Sequence, residues 1–136
     1  VTQSLFSKPG HIPIPAPRFE ATLQWYLEKL GVTLKARFPD EGRMVAVLSF
    51  ARPGAAVLLL VESIASAQMG RQPDFRPVPL VTLYCPDIEL AHAELKSRGV
   101  TVTDIHSHDE ARSALYFYIT DPNGHVLEAA WSKWDD

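Results

Sequence analysis

The sequence predicts an α+β chain of two βαβββ modules whose curved sheets form a cup, and three observations carry that prediction. One strand period, one helix period and three further strand periods follow each other between His11 and Glu62. The same order returns between Pro79 and Trp131. An octapeptide also recurs: Leu27 to Leu34 matches Leu95 to Val102 at an offset of 68 residues, with leucine, glycine, valine and threonine coinciding. Both copies fall where a helix gives way to a strand, a place that asks for glycine in the left-handed conformation.

Residues 1–10 are polar, carry Pro9 and Gly10, and read as a flexible lead-in to a single domain over 11–134. His11 to Ala16 alternates with period two, placing Ile12, Ile14 and Ala16 on one face. Pro13, Pro15 and Pro17 share a parity, so one side of this strand lacks N–H donors and suits a sheet edge. Arg18 to Leu30 changes to a helical period through Phe19, Leu23, Leu27 and Leu30, and Gly31 ends it. Strands are expected over Val32 to Phe38, Arg43 to Phe50 and Ala55 to Glu62, completing a first module of 11–62.

A connector with little periodicity, 63–78, leads to the second module, 79–131. There Pro79 to Cys85 reads as a strand, and Asp87 caps a helix over Ile88 to Arg98 that buries Leu90, Ala91 and Leu95 before Gly99. Val100 to Ile105, Ser113 to Thr120 and His125 to Trp131 complete an expected total of eight strands and two helices. The last two strands are joined by Asp121-Pro122-Asn123-Gly124, residues suited to a type I turn.

Composition bounds the function. With 136 residues, 46% of them hydrophobic and 21% charged, the chain can bury a full core. A net charge of −3 with no basic run argues against nucleic acid and against an anionic membrane surface. Cys85 is the only cysteine, which excludes an internal disulfide and any multi-cysteine metal motif, and suits a reducing cytoplasm. The longest apolar run, Ala55 to Val61, falls far short of the ~20 residues of a membrane-crossing helix. No charged-then-apolar export signal opens the sequence, so a soluble cytoplasmic protein is expected.

Strand parity nominates the site. If each helix covers one face of its sheet, the opposite faces line the cup, with His11, Pro13 and Pro15 entering from one module and Leu80, Thr82 and Tyr84 from the other. Glu128 interrupts the apolar set Leu127, Ala129 and Trp131 and so points into the cup, where a carboxylate needs a partner, solvent or a purpose. Taking Pro122 and Asn123 as the hairpin loop puts Phe117 and Ile119 on the face of Glu128. Cys85 reads as an inert, helix-packed thiol, His92 as exposed and His125 as outside the cup. His11 and Glu128 could serve as a catalytic base or as acceptors for a cationic ligand, or simply pair with each other in a structural salt bridge.

His11-Ile12-x-Ile14, Trp25-Tyr26-x-x-x-Leu30-Gly31, Pro86-Asp87 and above all Tyr116-Phe117-x-x-x-Asp121-Pro122-Asn123-Gly124-His125-x-x-Glu128 occur in this order. In them the chain resembles the vicinal oxygen chelate superfamily, which includes glyoxalases, bleomycin resistance proteins, extradiol dioxygenases and thiol transferases. The resemblance implies the glyoxalase/bleomycin-resistance/dioxygenase fold, a homodimer, and one divalent metal held by side chains from the first and last strands of each module. Carried onto this chain by the repeat, the four ligand positions become His11, Leu59, Leu80 and Glu128. Two leucines stand where donors belong, and neither a shift to Leu58 or Leu60 nor one to Pro79 or Val81 restores them. His106 or His108 could supply a third ligand to His11 and Glu128. The expectation is therefore a protein that binds a small organic molecule in an apolar cup formed by Leu59, Leu80, Tyr84, Phe117 and Ile119, with no obligate cofactor. A metal-dependent lyase, dioxygenase or thiol transferase is the alternative, leaving open whether the chain is an enzyme.

Overall fold

In a computed structural model of the chain, residues 4–63 and 78–135 are described. Two compact units divide them, the first holding 4–63 and the second 78–135. The connector lies outside the described residues except at its two ends. Residues 4–10 form no helix or strand.

The first unit runs β1 (His11–Ala16), α1 (Phe19–Trp25), a π-helical turn (Tyr26–Leu30), β2 (Thr33–Asp40), β3 (Arg43–Ser49) and β4 (Val57–Glu62). Its sheet has the order β1-β4-β3-β2, with β1 parallel to β4 and the other neighbours antiparallel. The Gly10 and Ala16 carbonyls accept from the N–H groups of Val57 and Ser63, so the even positions of β1 face β4. Pro13 and Pro15 therefore face the open edge, where a missing N–H costs no ladder bond.

Ile14, Leu48, Leu58 and Leu60 are fully buried on the helix side, with Phe19, Leu23 and Tyr26 of the helical segment also buried. Each such side chain contributes roughly 1.5–3 kcal/mol through removal from water. The expected helix stripe ran through Leu27, but Tyr26 occupies the core and Leu27 is only half-buried. A wider π turn advances each residue less far around the axis than an α turn, which carries the last apolar positions off the stripe set by Phe19 and Leu23.

The second unit contains β5 (Thr82–Tyr84), α2 (Ile88–Ser97), β6 (Thr101–Val102), β7 (His106–Ser107), β8 (Ala114–Thr120) and β9 (Val126–Ser132). Strands β5-β9-β8-β6 form its sheet, β7 pairs separately with β8, and β5 is parallel to β9. Asp87 caps α2, its Oδ1 accepting from the Leu90 N–H at 3.2 Å. Ile88 and Leu95 are buried, whereas Leu90, expected inside, is 58% exposed.

The described residues thus hold nine strands rather than eight. Where one strand was expected from Val100 to Ile105, the Tyr118 N–H donates to the Thr103 hydroxyl at 2.9 Å, so a side chain replaces a backbone acceptor and the ladder stops. The strand expected from Pro79 shortens to Thr82–Tyr84. Its entry is irregular, with the Leu80 N–H on the Val126 carbonyl and the Glu128 N–H on the Val81 carbonyl.

Each unit repeats the same internal design: its first strand parallel to its last, its last antiparallel to the strand before it, and a helix on one face. Pairing of Pro13 with Leu59 and of Thr82 with Glu128 are the same contact displaced by 69 residues. The duplication read from the octapeptide therefore extends to strand register.

Candidate functional site

The face of the second sheet opposite α2 gathers the polar and aromatic residues. Thr82 pairs with Glu128 and Glu128 with Tyr118, while Tyr84 pairs with Ala130 and Ala130 with Tyr116. Residues paired across neighbouring strands share a face, so Thr82, Tyr84, Tyr116, Tyr118 and Glu128 lie together. A groove of about 390 Å³ opens along these rows, lined among others by Thr82, Tyr84, His108, Tyr116, Glu128 and Asp135.

Glu128 is half-buried, and the Thr82 hydroxyl donates to its Oε1 at 2.9 Å. That hydrogen bond fixes one carboxylate oxygen through a neighbouring strand rather than a mobile loop. The Tyr116 ring stands between Tyr118, with centroids 5.7 Å apart and edge-on, and His106, at 5.5 Å. Tyr84, at the sheet edge, is 51% exposed. A carboxylate held among aromatic rings is a surface for an organic molecule that carries a hydrogen-bond donor or positive charge.

Phe117 and Ile119 do not share this face, which corrects the parity assignment. Both are buried on the α2 side, and the His92 ring meets Phe117 edge-on with centroids 4.9 Å apart. Nor is His92 exposed: it is half-buried, its Nε2 2.8 Å from the Thr103 carbonyl oxygen. The difference lies at the hairpin. A loop restricted to Pro122 and Asn123 would pair Thr120 with His125, but Thr120 pairs with Val126. Gly124 sits at φ +83°, and Asp121 Oδ1 accepts from the N–H groups of Asn123 and His125 at 2.8 and 2.9 Å.

The extra residue shifts the register by one, and a one-residue slip exchanges the two faces of a strand. Tyr116 and Tyr118 thereby replace Phe117 and Ile119 beside Glu128. The signal was present in the sequence, because glycine directly after a type I turn marks a bulged hairpin.

His11 opens β1, is exposed and pairs with Val57. Leu59 is half-buried opposite Pro13 on the face of the first sheet away from its core leucines. These two belong to the first unit and Glu128 to the second. Leu80 is half-buried just ahead of β5 and does not line the groove.

Tested for a divalent ion, the donor set does not fit. Leu59 and Leu80 carry no donor atom, and among the described residues no three of His, Cys, Asp or Glu come together. Burial, and secondarily the charge of Asp87, push the Cys85 thiol above its ordinary range, so it is protonated and weakly nucleophilic near neutrality.

Two similar units, each a helix on one face of a mixed sheet of four or five strands, define a class of duplicated α+β proteins. Residues 8–129 match the family described as the Glyoxalase/Bleomycin resistance protein/Dioxygenase superfamily, and the chain belongs to it. Comparison with curated proteins finds no match. Solved structures share the fold. TnmS3, an antibiotic binding protein from Streptomyces sp. CB03234, is 20% identical, with a TM-score of 0.76 over 96% of this chain and 100% of its own. A glyoxalase family protein from Enterococcus faecalis is 21% identical, with a TM-score of 0.76 over 94% and 100%. An integron cassette protein from the mobile metagenome of the Halifax Harbour sewage outfall is 24% identical, with a TM-score of 0.71 over 92% and 98%. Among the described residues no helix is long and apolar enough to cross a membrane.

Proposed function

We propose that the chain binds a small organic molecule in the groove of its second unit, without calling on a metal. The observation that carries this reading is the Glu128 carboxylate, held by Thr82 within a groove of about 390 Å³ beside Tyr84 and Tyr116. Such a volume falls in the range of small-molecule pockets, and an aromatic wall with a few fixed polar groups is their usual lining. The likeness in fold to an antibiotic binding protein supports the same class of ligand. Lyase, dioxygenase and thiol-transferase chemistry in this superfamily would need donors at positions that Leu59 and Leu80 fill with hydrocarbon.

The test is a thermal-shift and fluorescence screen of aromatic small molecules against the protein and its Tyr84→Ala and Glu128→Gln variants. Ligands that raise the melting temperature should lose affinity by at least about tenfold in one or both variants, the scale of a 1.4 kcal/mol contact. Ligands that bind all three proteins equally would place the site elsewhere.

A further inference from the structure

Resting on that groove as the binding site, we infer that its ligand is a planar organic cation. Two acids, Glu128 and Asp135, line the groove, and among the described residues no lysine or arginine does. His108 also lines the groove. Glu128 accepts from Thr82 at Oε1, which holds its charge in place within the groove. Asp135 at the rim takes the Ser132 N–H on Oδ2 at 2.6 Å, so its charge too is held by backbone.

The rings supply the shape preference. Tyr84 and Tyr116 occupy one cross-strand row, both paired with Ala130, whose side chain is a single methyl group, and all three line the groove. Aromatic faces carry negative charge, so a flat cation gains from ring contact and from the carboxylate together, and the two attractions act on the same atom group. A neutral ring would gain only the first. An anion would meet repulsion from both acids.

Three probes with one ring system decide the point: N-methylacridinium, acridine and acridine-9-carboxylate, followed by fluorescence anisotropy at mildly alkaline pH. The cation should bind at least about tenfold more tightly than the neutral ring, and the anion more weakly than either. In Glu128→Gln, which keeps shape and should keep the melting temperature, the cation's advantage should shrink to less than about threefold. Tyr84→Ala should weaken cation and neutral ring alike. Raising salt to about 1 M, where charges are screened beyond ~3 Å, should narrow the gap in the unaltered protein. Equal binding of cation and neutral ring, or tighter binding of the anion, would overturn the charge inference while leaving the groove as the site. Absence of binding by all three would overturn the groove itself and this inference with it.

Discussion

At the scale of single residues, Asp121 does more to place the site than any residue within it. Its buried carboxylate takes two N–H groups of the β8–β9 hairpin, and the register of Glu128 against Tyr118 follows from that loop. Asp121→Ala removes the acceptor of the buried His125 N–H and of the half-buried Asn123 N–H, and urea unfolding should show a loss of about 2 kcal/mol. The same variant should weaken ligand binding although Asp121 does not line the groove. Cys85 offers a second check. Its thiol is held protonated by partial burial and by Asp87, so alkylation by iodoacetamide should be slower in the folded protein than in urea at the same mildly alkaline pH. Because its folded pKa is raised above the ordinary 9.0, the thiol's contribution to stability is present below that value and is lost as pH rises through the folded value. Which residues flank Glu128 was not legible from alternation alone, since parity is exact within a strand but depends on one residue of hairpin length between strands. That one residue explains why Phe117 was expected where Tyr116 and Tyr118 stand.

At the scale of elements, the two helix-to-strand junctions were legible because their chemistry is local. Gly31 and Gly99 adopt φ +75° and +78°, and an added Cβ at either would meet nothing within 4 Å. The penalty for alanine is therefore conformational, not steric contact with neighbours. Gly31→Ala and Gly99→Ala should each cost about 1–2 kcal/mol in chemical denaturation. The π turn before Gly31 escaped detection, since hydrophobic spacing does not distinguish it from a last α turn until Tyr26 is seen inside and Leu27 partly outside. Helix α1 is further tied to β2 by the Glu20–Arg37 ion pair, and the hydrogen bond from Arg37 holds the Glu20 carboxyl below its usual range. A lowered carboxyl pKa stabilises the fold above about 4.5, and that gain disappears as pH falls through the folded value. Glu20→Gln should accordingly flatten the acid limb of the pH–stability curve. Both side chains lie near the surface, so added salt should produce the same flattening in the unaltered protein.

At the scale of the whole chain, duplication made the architecture readable and also exposed what the second copy does not share with the first. The pairing of Pro13 with Leu59 becomes, 69 residues later, the pairing of Thr82 with Glu128: hydrocarbon in one unit, a hydrogen-bonded carboxylate in the other. At the places equivalent to His11 and Glu128 the chain carries Leu80 and Leu59, which offer a metal no donor atom. The consequence is measurable without knowing the ligand. A site holding an ion at a hundred times its Kd would stabilise the native state by about 2.7 kcal/mol. For a chain of this size that is a rise of several degrees in melting temperature. Titration with Ni²⁺, Zn²⁺, Mn²⁺ or anaerobic Fe²⁺ should instead move the midpoint by no more than about 1 °C, and treatment with a chelator should leave it unchanged. A rise of several degrees that Glu128→Gln abolishes would return the carboxylate to metal binding. It would then be the leucines, not the glutamate, that needed a different explanation.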